Sequence, residues 1–251
     1  MASSLVIDLQ RLLAPERVSD SPDDLERFAG DALGGYRSFG RAGKVEVSPL
    51  VVASPKDTEE VSALAEYASK HGIPIIPRGG GTGVMGAAVP VDGSIVLNLR
   101  SLDAIHQIDR EGHQVTVGAG AILEDLENAL IPQSLLLGHD PWSRPIATVG
   151  GAISTNGMGY LAGKYGSMGQ QVQGLEVVLG SGEVIQTPSV PKIAGPDLDN
   201  IFIGAEGAMG IITKATLEAF PQPEVRSLHA FRFASFAPGF TVIQEMYAIG
   251  L

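Results

Sequence analysis

Cysteine does not occur anywhere in this chain. That excludes disulfides, thiolate metal sites, iron–sulfur ligation and a cysteine nucleophile, and it suits a cytoplasmic protein. Positive charge is also scarce. Lys and Arg number 17 against 28 Asp and Glu, a formal net charge of −11. No basic run stands out, so nucleic acid and a bare anionic membrane surface are not expected as partners. The first residues, MASSLVIDLQRLL, carry no basic region and place Asp8 within their apolar part, which makes a poor signal peptide. No apolar run reaches the ~18 residues of a membrane span. Metal-ligand spacing is missing too. There is no HxxH, HxxxH or Asp/Glu/His cluster, and His71, His106, His113 and His229 stand isolated.

Glycine is the opposite case, at 32 of 251 residues, nearly twice the usual ~7%. No G-X-Y period accompanies it, so the glycines mark tight turns and close backbone approaches. They concentrate in blocks. The first is PRGGGTGVMG at 77–86, which follows an apolar run at 73–76. Consecutive amides in such a loop can form an anion nest suited to a pyrophosphate. Thr82 adds a hydroxyl and Arg78 a charge. The loop reads as a dinucleotide cradle, and the same composition also suits a plain turn between strands. Gly81, Gly83 and Gly86 match G-x-G-x-x-G, but no helical period follows them. Ala87-Ala88-Val89-Pro90 and an Asp92-Gly93 turn lead into a strand instead, which argues against a Rossmann site.

The best helix lies just before this loop. Asp57 and Glu60 form a capping-box pattern, Val61, Leu64, Ala65 and Ala68 share one face, and Gly72 stops it. With strands at 49–52 and 73–76 it makes a β-α-β unit. Further strands are expected at 95–99, 106–108, 114–117, 134–137, 175–179, 184–185 and 213–220. Short helices are expected at 5–13, 23–28, 122–130 and 197–202. A strand at 228–233 and a helix at 239–249 follow the prolines Pro221 and Pro223.

Residues 139–166, HDPWSRPIATVGGAISTNGMGYLAGKYG, form a second glycine-rich stretch with little hydrophobic period. It reads as a long functional loop whose amides and small hydroxyls (Thr148, Ser154, Thr155) face a flat heteroaromatic ring, or as a Gly/Ser surface loop. A third block, GAEGAMGIIT, spans 204–213.

Taken together, five ordered blocks resemble the flavin-binding domain of the vanillyl-alcohol oxidase / p-cresol methylhydroxylase (PCMH) family of FAD-linked oxidases. They are PRGGGTG at 77–83, TVGG with TNG at 148–157, KYG at 164–166, GLEVV at 174–178 and GAEGAMGIIT at 204–213. Within that family the chain looks most like D-lactate dehydrogenase, D-2-hydroxyglutarate dehydrogenase, the glycolate oxidase flavin subunit and alkylglycerone-phosphate synthase. The resemblance implies an α+β fold of two α/β subdomains. It divides the chain into an N-terminal helical segment (1–45), the FAD-binding domain (46–222) and the start of a truncated substrate, or cap, domain (223–251).

The resemblance also assigns roles. Pro77, Arg78, Gly79, Gly80, Gly81, Thr82 and Gly83 match the loop that holds the FAD pyrophosphate. Pro141, Trp142, Thr148, Ser154, Thr155, Asn156, Gly157 and Met158 match segments along the ribityl chain and isoalloxazine, where Gly150 and Gly151 let backbone approach. Tyr165 and Gly166 match a pair near the cofactor. Glu206, Gly207, Gly210, Ile211 and Ile212 match the segment closing over the nucleotide. Histidine-linked flavins carry a histidine in the glycine loop. Thr82 stands there in this chain, which implies noncovalent FAD. His139-Asp140-Pro141 resembles a segment of alkylglycerone-phosphate synthase and makes His139 the catalytic candidate. The implied reaction is hydride transfer from a 2-hydroxy acid to flavin N5, with an electron acceptor downstream and a partner subunit or cap domain completing the pocket. Such a chain would be peripheral to a membrane only through partners. A non-redox flavoenzyme and a non-catalytic flavin subunit are the alternatives.

Overall fold

The computed structural model describes residues 2–32, 48–188 and 196–250. The expected boundary at 45/46 lies outside them. The chain begins with α1 (Ala2–Leu12), β1 (Val18–Ser19) and α2 (Pro22–Arg27). It continues through β2 (Val51–Ala53), α3 (Thr58–His71), β3 (Ile75–Arg78) and β4 (Ile95–Asn98). These strands form one sheet in the order β1-β2-β4-β3, with β2, β4 and β3 parallel. Parallel strands are covered on both faces, and Ile95, Val96 and Leu97 are fully buried.

The signals read for α3 act as expected at both ends. Asp57 accepts the Glu60 N–H at 2.9 Å, and Gly72 ends the helix in the left-handed region at φ +65°. Glu60 reaches one residue further back than a capping box requires. It accepts the Lys56 N–H at 2.9 Å and pairs with Arg17. Val61, Leu64, Ala65 and Ala68 face the first core, together with Leu5, Leu9 and Leu13.

The second half supplies β5 (Ile105–Asp109), β6 (Gln114–Gly118), α4 (Leu123–Leu130), β7 (Leu135–Leu136), α5 (Val149–Ser154), α6 (Ala162–Tyr165), β8 (Val172–Val178), β9 (Val184–Gln186), β10 (Ile211–Glu218) and β11 (Phe220–Pro221). Five of them build an antiparallel sheet in the order β5-β6-β10-β8-β9. β7 and β11 pair separately. Leu123, Leu126 and Leu130 of α4 are fully buried against this sheet's core, as their spacing predicted.

Two expectations about local structure need correction. Residues 149–154 are helical, although the surrounding stretch read as a loop. Six residues cannot display a 3.6-residue period, and Gly150 and Gly151 hide the signal further. Residues 228–233 form no strand. Among the described residues no neighbouring strand lies beside them, and a strand without a ladder leaves its backbone groups unpaired. The last helix, α7 (Phe236–Ala248), starts three residues earlier than expected.

Glu176 joins the two halves. It sits on β8, is 8% exposed, and accepts hydrogen bonds at both oxygens. Thr58 of α3 (2.7 Å) and Thr213 (2.9 Å) donate to Oε1, and Gln186 (2.9 Å) and Lys214 (3.1 Å) donate to Oε2. Burial alone would raise this carboxyl. The bonds from Thr58, Thr213, Lys214 and Gln186 outweigh it and hold the group below the usual carboxylate range. A depressed folded pKa stabilises the fold above the unfolded value of about 4.3, and that contribution is lost as pH falls through the folded value. Urea unfolding between pH 3 and 7 should therefore show wild type more stable than Glu176→Gln near neutrality and the two converging in acid. A gap that stays constant with pH would contradict the assignment.

Candidate functional site

β3 ends at Arg78, and the glycine loop follows at once. Its backbone passes so close to the second half of the chain that side chains are excluded. A Cβ on Gly79 would overlap the Thr148 hydroxyl, and one on Gly80 would overlap the Ile146 carbonyl. Gly81 takes φ +66° and lies beside the Arg78 guanidinium. The loop is bracketed from the N-terminal side. Arg78 Nη1 donates to the carbonyls of Gly30 and Phe28, with the guanidinium 5.0 Å from the centre of the Phe28 ring. Asp31 accepts the Gly86 N–H at 3.0 Å, and Ala32 N–H donates to Gly83 O at 2.9 Å. Burial pushes the Arg78 pKa down, and Asp31 opposes that shift.

Facing this loop is α5. Thr148 caps it by accepting the Gly151 N–H at 3.3 Å and is 1% exposed. Gly150 lets α5 settle on β6, its N–H donating to Ala119 O at 2.8 Å. Thr155 Oγ1 donates back to Gly151 O at 3.0 Å. Asn156 stands at φ +47°, and its Oδ1 accepts the Gly169 N–H at 3.0 Å. The third wall is the turn before β10. Glu206 N–H donates to Ser154 O at 2.9 Å, and Gly207 at φ +87° lies against the Pro77 ring.

These walls enclose a cavity of about 480 Å³. The candidate residues Pro77 to Gly83, Pro141, Trp142, Thr148, Gly150, Gly151, Ser154 to Met158, Glu206, Gly207, Gly210, Ile211 and Ile212 all line it. So does His139. Tyr165 and Gly166 do not. Tyr165 lies behind the wall, packed on Phe220 with ring centres 4.3 Å apart and its Cβ against Gly138. Gly166 only terminates α6, at φ +76°. α6 carries both away from the cavity lining.

Asp31, Leu99 and Ala119 also line the cavity and were not anticipated. None sits in one of the three glycine blocks, and Asp31 acts through contacts distant in sequence, on Gly86 and Arg78. His139 is 2% exposed and its Nδ1 has no hydrogen-bond partner. Gly157 lies beside its Cε1–Nε2 edge. Burial lowers its pKa while Asp140 opposes, so the imidazole is neutral at pH 7. Among the described residues no group of three His, Asp or Glu could hold a metal ion, and no helix is long and apolar enough to cross a membrane.

The chain belongs to the FAD binding domain family, which matches residues 49–188. FAD is therefore its cofactor, and a glycine cradle with no room for a Cβ fits a dinucleotide held by backbone. It is similar to the glycolate oxidase subunit GlcD of Bacillus subtilis, 36% identical over 220 residues, which cover 87% of this chain and 45% of that protein. A solved alkyldihydroxyacetonephosphate synthase superposes with TM-score 0.87 at 26% identity, covering 98% of this chain and 49% of that one. p-Cresol methylhydroxylase shares the fold, at TM-score 0.75 and 24% identity, over 89% of this chain and 44% of that one. The α+β, PCMH-type architecture implied by the sequence blocks is thus the one observed. The chain spans about half the length of the curated relatives it matches.

Gly80 offers a direct probe of the cradle, since the atom it would strike is rigid backbone. Gly80→Ala is expected to weaken FAD binding at least about tenfold, ~1.4 kcal/mol. Gly180→Ala, where an added Cβ meets nothing within 4 Å, should leave it unchanged. Flavin fluorescence titration of the two variants checks this, and equal affinities would remove the loop from the binding site.

Proposed function

We propose that this chain is the flavin platform of an FAD-linked oxidoreductase that oxidises a 2-hydroxy acid of the glycolate, D-lactate or D-2-hydroxyglutarate class. The observation that carries the proposal is a neutral, buried imidazole on the wall of a cavity otherwise built of glycine backbone and small side chains. When bound, FAD supplies the hydride acceptor at its N5, as flavins do in such reactions. The chain contributes binding, orientation and one proton acceptor. The glycine loop and the turn at 206–210 would hold the cofactor through backbone, and α5 would form the facing wall. His139 Nε2 takes the proton from the substrate hydroxyl as the α-carbon gives up its hydride, and the imidazolium later returns that proton to solvent. The reading includes an electron acceptor as a further partner.

Thr82 sits in the glycine loop with no nucleophilic nitrogen, so FAD is held noncovalently in this reading. In this reading 46–222 is the FAD-binding domain, 1–45 an N-terminal helical segment and 223–251 the beginning of a cap. Exposed Phe231, Phe236 and Phe240, at 76%, 82% and 48%, make that last segment the place where a cap or partner subunit completes the substrate pocket. GlcD is by its name a subunit, which supports a partner here as well. A cytoplasmic location, at a membrane only through partners, accords with the absence of a spanning helix among the described residues.

A second reading is favoured by one observation. Likeness to the synthase structure extends over nearly the whole chain. In that reading the platform serves a non-redox flavoenzyme. A non-catalytic flavin subunit is the third.

Acid precipitation of the purified chain should release flavin absorbance to the supernatant. Flavin that stays in the pellet would overturn the noncovalent assignment, and a chain that takes up none would overturn the platform itself. With the cap or partner subunit that completes the pocket present, anaerobic addition of glycolate, D-lactate or D-2-hydroxyglutarate should bleach the flavin bands, and His139→Asn should slow bleaching about 10²–10⁴-fold without loss of FAD. Bleaching unaffected by the substitution would remove His139 from the chemistry.

A further inference from the structure

Among the described residues five buried side-chain atoms lack a hydrogen-bond partner, and three of them belong to His139 and Gln171. His139 Nδ1 is one. The side-chain amide of Gln171 provides two more, since neither its Nε2 nor its Oε1 has a partner and the residue is fully buried. Gln171 closes the 3₁₀ turn at Met168–Gln171. That turn is pinned to the loop opposite His139 by the Met168 N–H donating to Gly157 O at 2.8 Å and by the Gly169 N–H donating to Asn156 Oδ1 at 3.0 Å. Gln171 Oε1 lies 3.0 Å from where a Cβ would stand on Gly138, the residue before His139. Gly138 thus precedes His139 in the chain and lies against Gln171 in space, with Phe220 and Tyr165 packed on it as well.

Buried polar groups in native proteins find partners, directly or through an enclosed water that joins two to four of them. A histidine's tautomer is set by whichever group engages the nitrogen that faces away from the reaction. We propose that Gln171 is the positioning residue for His139, its Oε1 accepting, through one enclosed water, the hydrogen bond that His139 Nδ1–H donates. This holds the proton on Nδ1 and leaves the Nε2 lone pair, on the edge beside Gly157, directed to the cavity. The inference rests on the reading of His139 as the proton acceptor and adds what orients it.

The test uses the full chain, labelled with ¹⁵N-histidine, at a pH where imidazole is neutral. Long-range ¹H–¹⁵N correlations of His139, assigned by loss of the signal in His139→Gln, should show a protonated Nδ1 and an unprotonated Nε2. Gln171→Met, apolar and of similar length, should abolish that preference while His71, His106, His113 and His229 keep theirs. A wild-type His139 that carries its proton on Nε2 overturns the proposal, and so does an unchanged tautomer in a folded Gln171→Met variant. The wild-type spectrum decides even if the variant does not fold. The readout is independent of turnover. If His139 is not the base, substitution leaves flavin bleaching unaffected while the tautomer still responds to Gln171.

Discussion

The approach of bare backbone at Gly79 and Gly80 to Ile146 and Thr148 is the constraint on which the rest of the structure depends. It joins the C-terminal end of a parallel strand in one sheet to the cap of a helix lying on the other. Nothing larger than hydrogen fits between. The spacing of the two halves must therefore be held within a few tenths of an ångström, and no side chain at the contact can do so. That task falls to more remote groups. Glu176 joins α3 to β9 and β10, Arg78 and Asp31 bind residues 28–32 over the loop, and the Glu206 amide ties the turn before β10 to α5.

The side chains along the cavity are largely spent on the protein itself. Thr148 caps a helix, Thr155 bonds back to that helix, Asn156 holds the following turn, and Arg78 Nη1 serves carbonyl oxygens. The sequence suggested that several of these would meet the cofactor through their side chains. In the structure they shape the wall, and the groups left to address a ligand are mostly main-chain amides and carbonyls. This explains why glycine dominates the lining. A ligand held by backbone must come closer to it than a Cβ allows.

Much of this was legible because glycine density marks close approach wherever it occurs. All three glycine blocks reach one cavity, although their outer lining members, Pro77 and Ile212, stand 135 positions apart. α3 was legible from its caps and its apolar stripe. What stayed hidden has identifiable causes. α5 is too short and too rich in glycine to display a period. Asp31 makes its contribution through long-range contacts that leave no local pattern. Tyr165 and Gly166 belong to a block that reaches the site, yet the turn at α6 carries them behind it. Residues 228–233 have the composition of a strand, but pairing is a property of neighbours and none is present among the described residues.

The distribution of charge completes the argument for a backbone-held ligand. The ionisable side chains on the cavity wall are Asp31, Arg78, His139 and Glu206. Asp31 is paired with the loop amide of Gly86, Arg78 is half-buried with one nitrogen on carbonyls, and His139 is neutral. A pyrophosphate here would find little free cationic charge. Its stabilisation would have to come from oriented amides in a site from which bulk water is largely displaced, where such dipoles act more strongly than in solution. Burial of its own side chain keeps His139 uncharged. The two conditions are separate: close backbone approach suits an anionic cofactor, and burial of one imidazole on the same wall leaves it neutral.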